Sequence, residues 1–227
     1  MIELVMSQGV GFSDIVIYII SCLVVIFLTL PIHEFAHGFA AVKLGDNTPR
    51  WQGRLTLNPF AHIDYIGSLF ILLFGFGWAK PVQVNQRNFR NPKVDMAITA
   101  FAGPISNLIM AFLACFLYCL VWFLCFEFEF YSDIILYVAG FLSFVAQINV
   151  SLAVFNLIPI PPLDGSRLLA VLLPDRYYYK LMQYEQYFFI VIIVLMSSGA
   201  ASGVLHDVTS NILSGLYHIA GMPFNLF

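Results

Sequence analysis

His33-Glu34-Phe35-Ala36-His37 is embedded in a stretch that is otherwise almost purely apolar. Histidines at i and i+4 share one helix face, so both imidazoles can grip a single metal ion. An ionisable glutamate lies between them, and such a group is costly inside a membrane-spanning segment unless it serves a function. A catalytic zinc usually takes three protein ligands and keeps a fourth position open. Only two ligands are local here, so the third must come from far along the chain. Acids within apolar or broken-helix regions are scarce. Asp164 is the best placed, because it follows Pro159-Ile160-Pro161-Pro162-Leu163, where a regular helix must break and a carboxylate can be re-aimed. The alternative for Asp164 is a helix N-cap after Pro162.

The composition explains what must position these groups. Of 227 residues, 60% are hydrophobic and only 10% charged, and mean hydropathy is +0.87. Soluble domains carry about 25% charged residues, so this chain falls in the membrane class. All ten Lys and Arg fall between Lys43 and Lys93 or between Arg167 and Lys180. Under the positive-inside rule both windows face the cytoplasm, and Glu127, Glu129 and Asp133 lie outside. No basic stripe calls for nucleic acid. Cys22, Cys115, Cys119 and Cys125 all sit in apolar segments without a Cys-x-x-Cys pair, which reads as packing.

The pattern predicts a membrane protein that is mainly α, a bundle of about four to six transmembrane helices with a small β-hairpin/re-entrant region on the cytoplasmic side. Residues 14–44 form the first span, with Asp14 as N-cap, Gly45 as stop and a distortion at Pro31. Residues 46–94 form the β/re-entrant region, with strands at Arg54–Leu57 and Pro81–Val84 and a short apolar piece from Ile66 to Trp78. Residues 95–125 give the second span. Residues 134–173 hold the third with its broken helix, and 184–227 a C-terminal span and tail. The whole of 1–227 is expected to be one membrane-embedded domain.

The chain resembles the site-2 protease family of intramembrane zinc metalloproteases. The matching pieces are His33-Glu34-Phe-Ala-His37-Gly38; Gly53-Arg-Leu-Thr-Leu-Asn58-Pro59 with His62-Ile-Asp64; Gly77-Trp-Ala-Lys-Pro81-Val; Ala102-Gly-Pro104-Ile-Ser-Asn107; and Asn156-Leu-Ile-Pro-Ile-Pro-Pro-Leu-Asp164-Gly165. They follow the family's order and cover roughly 33–168. The form is a minimal one, with neither an inserted PDZ domain nor an appended CBS domain.

The resemblance implies that His33, His37 and Asp164 hold one zinc ion per chain, that Glu34 is the catalytic acid/base and that Asn156 lies near the metal. Zinc lowers the pKa of water toward about 7 and polarises the scissile carbonyl. Glu34 takes the proton and passes it to the leaving amine, and Asn156 donates to the developing oxyanion. The expected substrates are transmembrane segments of other proteins. These must unwind before attack, and a free strand edge offers an extended peptide something to pair with. The setting is the bilayer of a bacterial or archaeal cell, with the site toward the cytoplasm. His62 reads as structural or gating. Asn107 either orients Glu34 or satisfies broken backbone, and His206 and His218 read as interfacial or core residues. Two other functions compete: a zinc transporter, and a proteolytically inactive binder of membrane helices.

Overall fold

The structure is a computed structural model that describes residues 11–74, 77–197 and 202–225. Its first helix, α1 (Phe12–Lys43), is long and apolar enough to cross a membrane. It starts two residues earlier than expected, so Asp14 is not the N-cap. Instead its carboxylate reaches back from the first turn to accept the Gly11 N–H at 2.9 Å. Val25–Thr29 form a π-helical turn in which the Leu30 N–H bonds to the Val25 carbonyl. Pro31, which has no N–H to give, follows at once, and the widened turn accommodates it. The helix ends where expected, as Gly45 adopts a φ of +113° that an L side chain would resist.

A short helix α2 (Thr48–Trp51) and a 3₁₀ turn (Pro59–Ala61) lead to α3 (Tyr65–Phe74). Among the described residues no strand forms, and both strand expectations need correction. Around Arg54–Leu57 the polar groups are consumed by local turns: the Arg54 N–H bonds to Pro49 O at 2.8 Å, its guanidinium bonds to Ala61 O, and His62 Nε2 bonds to Thr56 O at 2.8 Å. Residues 81–84 form neither helix nor strand, and Val82 donates to a carboxylate rather than to a second strand. The apolar piece from Ile66 to Trp78 is the ten-residue α3 plus the start of this segment, with residues 75 and 76 outside the described ones. The two parts touch closely. A Cβ on Gly67 would collide with the Trp78 carbonyl, and one on Gly77 with the Gly67 carbonyl.

Among the described residues, helices α4 (Pro92–Glu127) and α5 (Asp133–Asn156) are the other two long enough and apolar enough to span a membrane. Pro92 occupies the first turn of α4, where its missing N–H costs nothing, and the Asp95 carboxylate takes the Asn91 N–H at 2.9 Å. One face of α1 packs Tyr18, Cys22, Val25, Ile26 and Leu30 against Ile71, Ala79, Ile148 and Leu152. Cys115 and Cys119 of α4 are free thiols packed with Val145 and Ala146 of α5, as expected of small buried residues.

Beyond α5 the chain turns through the prolines into a 3₁₀ segment (Asp164–Leu168) and α6 (Leu169–Leu172). A Cβ on Gly165 would collide with the Leu157 and Ile158 carbonyls, so glycine lets this segment fold back on the end of α5. Three helices follow: α7 (Asp175–Met182), α8 (Glu185–Ser197) and α9 (Ser202–Gly221). The described part of α8 is 13 residues, fewer than a span takes. Leu213, Leu216 and Tyr217 of α9 lean on the α4–α5 cluster, while His206 and His218 face outward. Residues 198–201, 226 and 227 of the expected C-terminal span and tail lie outside the described residues.

Candidate metal centre

Consecutive turns of α1 carry His33 and His37, both buried, with their rings edge to face. Their Nε2 atoms lie 3.0 Å apart. Asp164 arrives from 127 residues beyond His37 and puts Oδ2 3.3 Å from His33 Nε2 and 3.2 Å from His37 Nε2. It is the first residue of its 3₁₀ segment, whose N-cap is Leu163, so the N-cap alternative does not hold. Among the described residues this is the group of three or more His, Cys, Asp or Glu whose ligand atoms converge.

The triangle fits a tetrahedral cation. Bonds of about 2.0–2.2 Å at tetrahedral angles set ligand atoms roughly 3.3–3.6 Å apart, a few tenths of an ångström wider than two of the edges seen here. The second nitrogen of His37 supports the same reading. Its Nδ1 lies 2.7 Å from the Thr99 carbonyl, and donating there leaves the Nε2 lone pair free for a metal.

Helix α4 makes this possible through Gly103. A Cβ at that position would drive into both imidazoles. Pro104 follows, and Ser106 Oγ donates to the Gly103 carbonyl at 2.6 Å. Asn107, one turn further, is fully buried, and neither polar atom of its side chain finds a partner among the described residues.

Glu34 is 7% exposed, and its Oε2 accepts the Val82 N–H at 2.8 Å. It shares a cavity of about 310 Å³ with His33, Asp164 and Asn156. Apolar walls come from Leu30, Phe155 and Leu163, and Gly77, Trp78, Ala79 and Pro81 close another side. All five residues singled out from the sequence are thus in one neighbourhood: three converge on a point, and Glu34 and Asn156 line the adjoining space. His62 is elsewhere, buried, bonding to Thr56 O and accepting the Lys80 N–H at 2.7 Å through its carbonyl.

Sequence reasoning did not single out Thr99, Val82 or Asp46. The first two act through main-chain atoms, which carry no residue-type signal. Asp46 had one, an Asp two residues before Thr in a Gly-containing turn. It is fully buried and accepts from Thr48 N, Thr48 Oγ1, Asn85 N and Asn88 Nδ2 at 2.5–3.0 Å. Burial alone would raise its carboxyl pKa, but the donors from Thr48, Asn88 and Asn85 outweigh that and hold it below the usual range.

Residues 132–198 match the family model described as Peptidase family M50. The chain is 43% identical over 157 residues to the Bacillus subtilis protein named "Putative zinc metalloprotease YwhC", covering 69% of each chain. MJ0611 of Methanocaldococcus jannaschii, named in the same way, is 31% identical over 159 residues, covering 69% of this chain and 72% of that one. Rip2 of Mycolicibacterium smegmatis, likewise so named, is 32% identical over 143 residues, and the match spans about half of its length. No solved structure matches.

Proposed function

We propose that this chain, which belongs to peptidase family M50, is an intramembrane zinc endopeptidase that hydrolyses peptide bonds within transmembrane segments of other proteins. The observation that carries the reading is the His33–His37–Asp164 triangle opening onto a cavity that Glu34 shares. A zinc ion held by those three side chains supplies Lewis-acid chemistry, acidifying water and polarising the scissile carbonyl.

The remaining work falls to the chain itself. Glu34 receives the proton of the attacking water at its carboxylate and returns it to the leaving amine. Its mostly apolar surroundings limit competing water, and the Val82 N–H fixes one of its oxygens. Asn156, at the end of α5 on the cavity wall, donates its amide N–H to the developing oxyanion. Losing one such donor costs about 10²–10³ in turnover where it has been measured. Asn156→Ala is therefore expected to lower kcat by that factor with zinc content intact; unchanged kcat removes Asn156 from this role.

A transmembrane substrate must be unwound to be cut, and the segment beside the cavity offers it a main-chain edge. Lys80 and Val82 spend their amides inward, on His62 O and the Glu34 carboxylate. Main-chain groups alternate sides along extended backbone, so on this reading Ala79 and Gln83 direct N–H and C=O outward, and Pro81, which has no N–H, its carbonyl alone. Ala79 and Pro81 are the members of this run on the cavity wall. Of the two segments expected as strands, Arg54–Leu57 and Pro81–Val84, this reading takes the second as the pairing edge. Gln83→Pro, which removes one exposed donor, is expected to reduce kcat/KM for a helical substrate by up to roughly tenfold, the worth of one hydrogen bond. Undiminished cleavage would rule the edge out.

The ion, the bilayer and a substrate helix are the partners this reading requires, with the site opening toward the cytoplasmic side, where Lys and Arg cluster. A count of four to six spans requires α3, α8 or α9 to enter the bilayer beside the three long helices. The test is direct. The full chain in detergent, given single-span substrates, should cleave them, stop on chelation and resume on adding zinc. Zinc flux into vesicles without cleavage would instead indicate a transporter, and substrate capture without cleavage a binder.

A further inference from the structure

Asp46 has no part in the chemistry above, yet it is the most heavily hydrogen-bonded carboxylate described. It sits one residue beyond the left-handed Gly45 that ends α1, and its own N–H bonds back to Ala41 O at 2.9 Å. It therefore belongs to the same rigid body as Glu34. Its Oδ2 takes the Asn85 N–H and its Oδ1 the Asn88 side-chain amide, each at 2.7 Å. A Cβ on Gly45 would come within 3.3 Å of the Asn88 carbonyl, so the turn is built for this close approach.

The segment pinned in this way is the one that touches Glu34. Val82 lies three residues before Asn85, and its N–H donates to Glu34 Oε2 at 2.8 Å. Where the segment crosses α1 between these two points, a Cβ on Gly38 would lie 3.6 Å from Val82 Cγ1. The strap is thus fastened to one helix at both ends, by Glu34 at one and Asp46 at the other. A single amide makes a poor anchor, because ordering each residue costs about 1–2 kcal/mol of backbone entropy. Two short bonds to a buried carboxylate supply what that amide lacks.

We propose that Asp46 is a positioning residue for peptide-bond hydrolysis, holding the 82–88 strap so that the Val82 amide keeps the Glu34 carboxylate aimed into the cavity. This rests on Glu34 being the acid/base of a protease, as inferred above. Misplacing a reacting group by about 1 Å can cost a hundredfold in rate, and the larger effect falls on kcat because the metal ligands are left in place, while Gln83, which belongs to both the strap and the substrate edge, carries a smaller effect into KM.

The test uses the full chain in detergent with a cleavable single-span substrate, following kcat, KM and bound zinc. Asp46→Ala should lower kcat roughly ten- to a hundredfold at unchanged zinc content, with KM changed less than kcat. Asp46→Asn, which keeps one oxygen for the Asn85 N–H, should recover part of the loss. Val82→Pro removes the amide itself, and adding Asp46→Ala to it should cost nothing more. Should Asp46→Ala not fold, Asn88→Ala removes one pin with the buried carboxylate retained and should lower kcat in the same sense. The proposal is overturned if these variants keep wild-type kcat, if their losses multiply with that of Val82→Pro, or if kcat falls only in step with zinc. An active wild type with normal Asp46 variants defeats this inference alone, whereas a wild type whose cleavage ignores Glu34→Gln defeats the protease reading beneath it.

Discussion

Glu34→Gln is expected to lower turnover roughly 10²–10⁴-fold, the range that a positioned general base contributes, while the protein still binds zinc and substrate. The substitution is nearly isosteric. Its amide can still offer an oxygen to the Val82 N–H, so the strap and cavity should keep their shape. What it removes is the capacity to accept a proton. Glutamate at this position is also hard to explain otherwise. The side chain is 7% exposed on a helix long and apolar enough to span a membrane, and a buried carboxylate without compensation costs several kcal/mol. Single-turnover cleavage of a labelled single-span substrate, with zinc measured on the same sample, checks the prediction. Wild-type rates in Glu34→Gln would refute the role.

Asp164→Ala should have an effect as large by a different route, because the protein loses the metal itself. Two imidazoles on one helix leave a cation short of the three protein ligands that catalytic zinc sites use. Removing the carboxylate also leaves two Nε2 atoms 3.0 Å apart with no negative partner. Bound zinc should drop from about one per chain to a small fraction after dialysis, with cleavage falling in proportion. Raising free zinc should restore part of the activity, which it cannot do for Glu34→Gln. Full zinc occupancy in Asp164→Ala, by elemental analysis of dialysed protein, would show that the ligand set is wrong.

The three long helices were legible because apolar runs of that length have few other uses: both bounds of the first two, and the start of the third, fall within three residues of those expected. The convergence of Asp164 on the histidine pair was legible for a related reason: in so apolar a chain, a carboxylate after a triple-proline break has few roles. The region between Gly45 and Asn91 was read less well. Arg54-Leu-Thr-Leu57 and Pro81-Val-Gln-Val84 alternate in the manner of strands, but alternation specifies a pleat only when a partner strand is present. Here Arg54 and Thr56 meet turn carbonyls and amides, while Val82 meets a side chain. Contacts through main-chain atoms, such as the Thr99 carbonyl on His37 and the Val82 amide on Glu34, leave no trace in residue type. Gly103 left a partial one. Its place before Pro104 marked the helix as unusual, but the reason, two imidazoles where a Cβ would go, is a matter of packing between α1 and α4.

The central claim is that side chains 127 residues apart in this chain hold one zinc ion beside Glu34. Zinc-edge X-ray absorption on purified, cleavage-competent protein tests it most directly. The account predicts about one zinc per chain, with two imidazole nitrogens and a carboxylate oxygen at roughly 2.0–2.2 Å, and loss of the oxygen shell in Asp164→Ala. Active protein free of metal, or a zinc shell unchanged by that substitution, would contradict it.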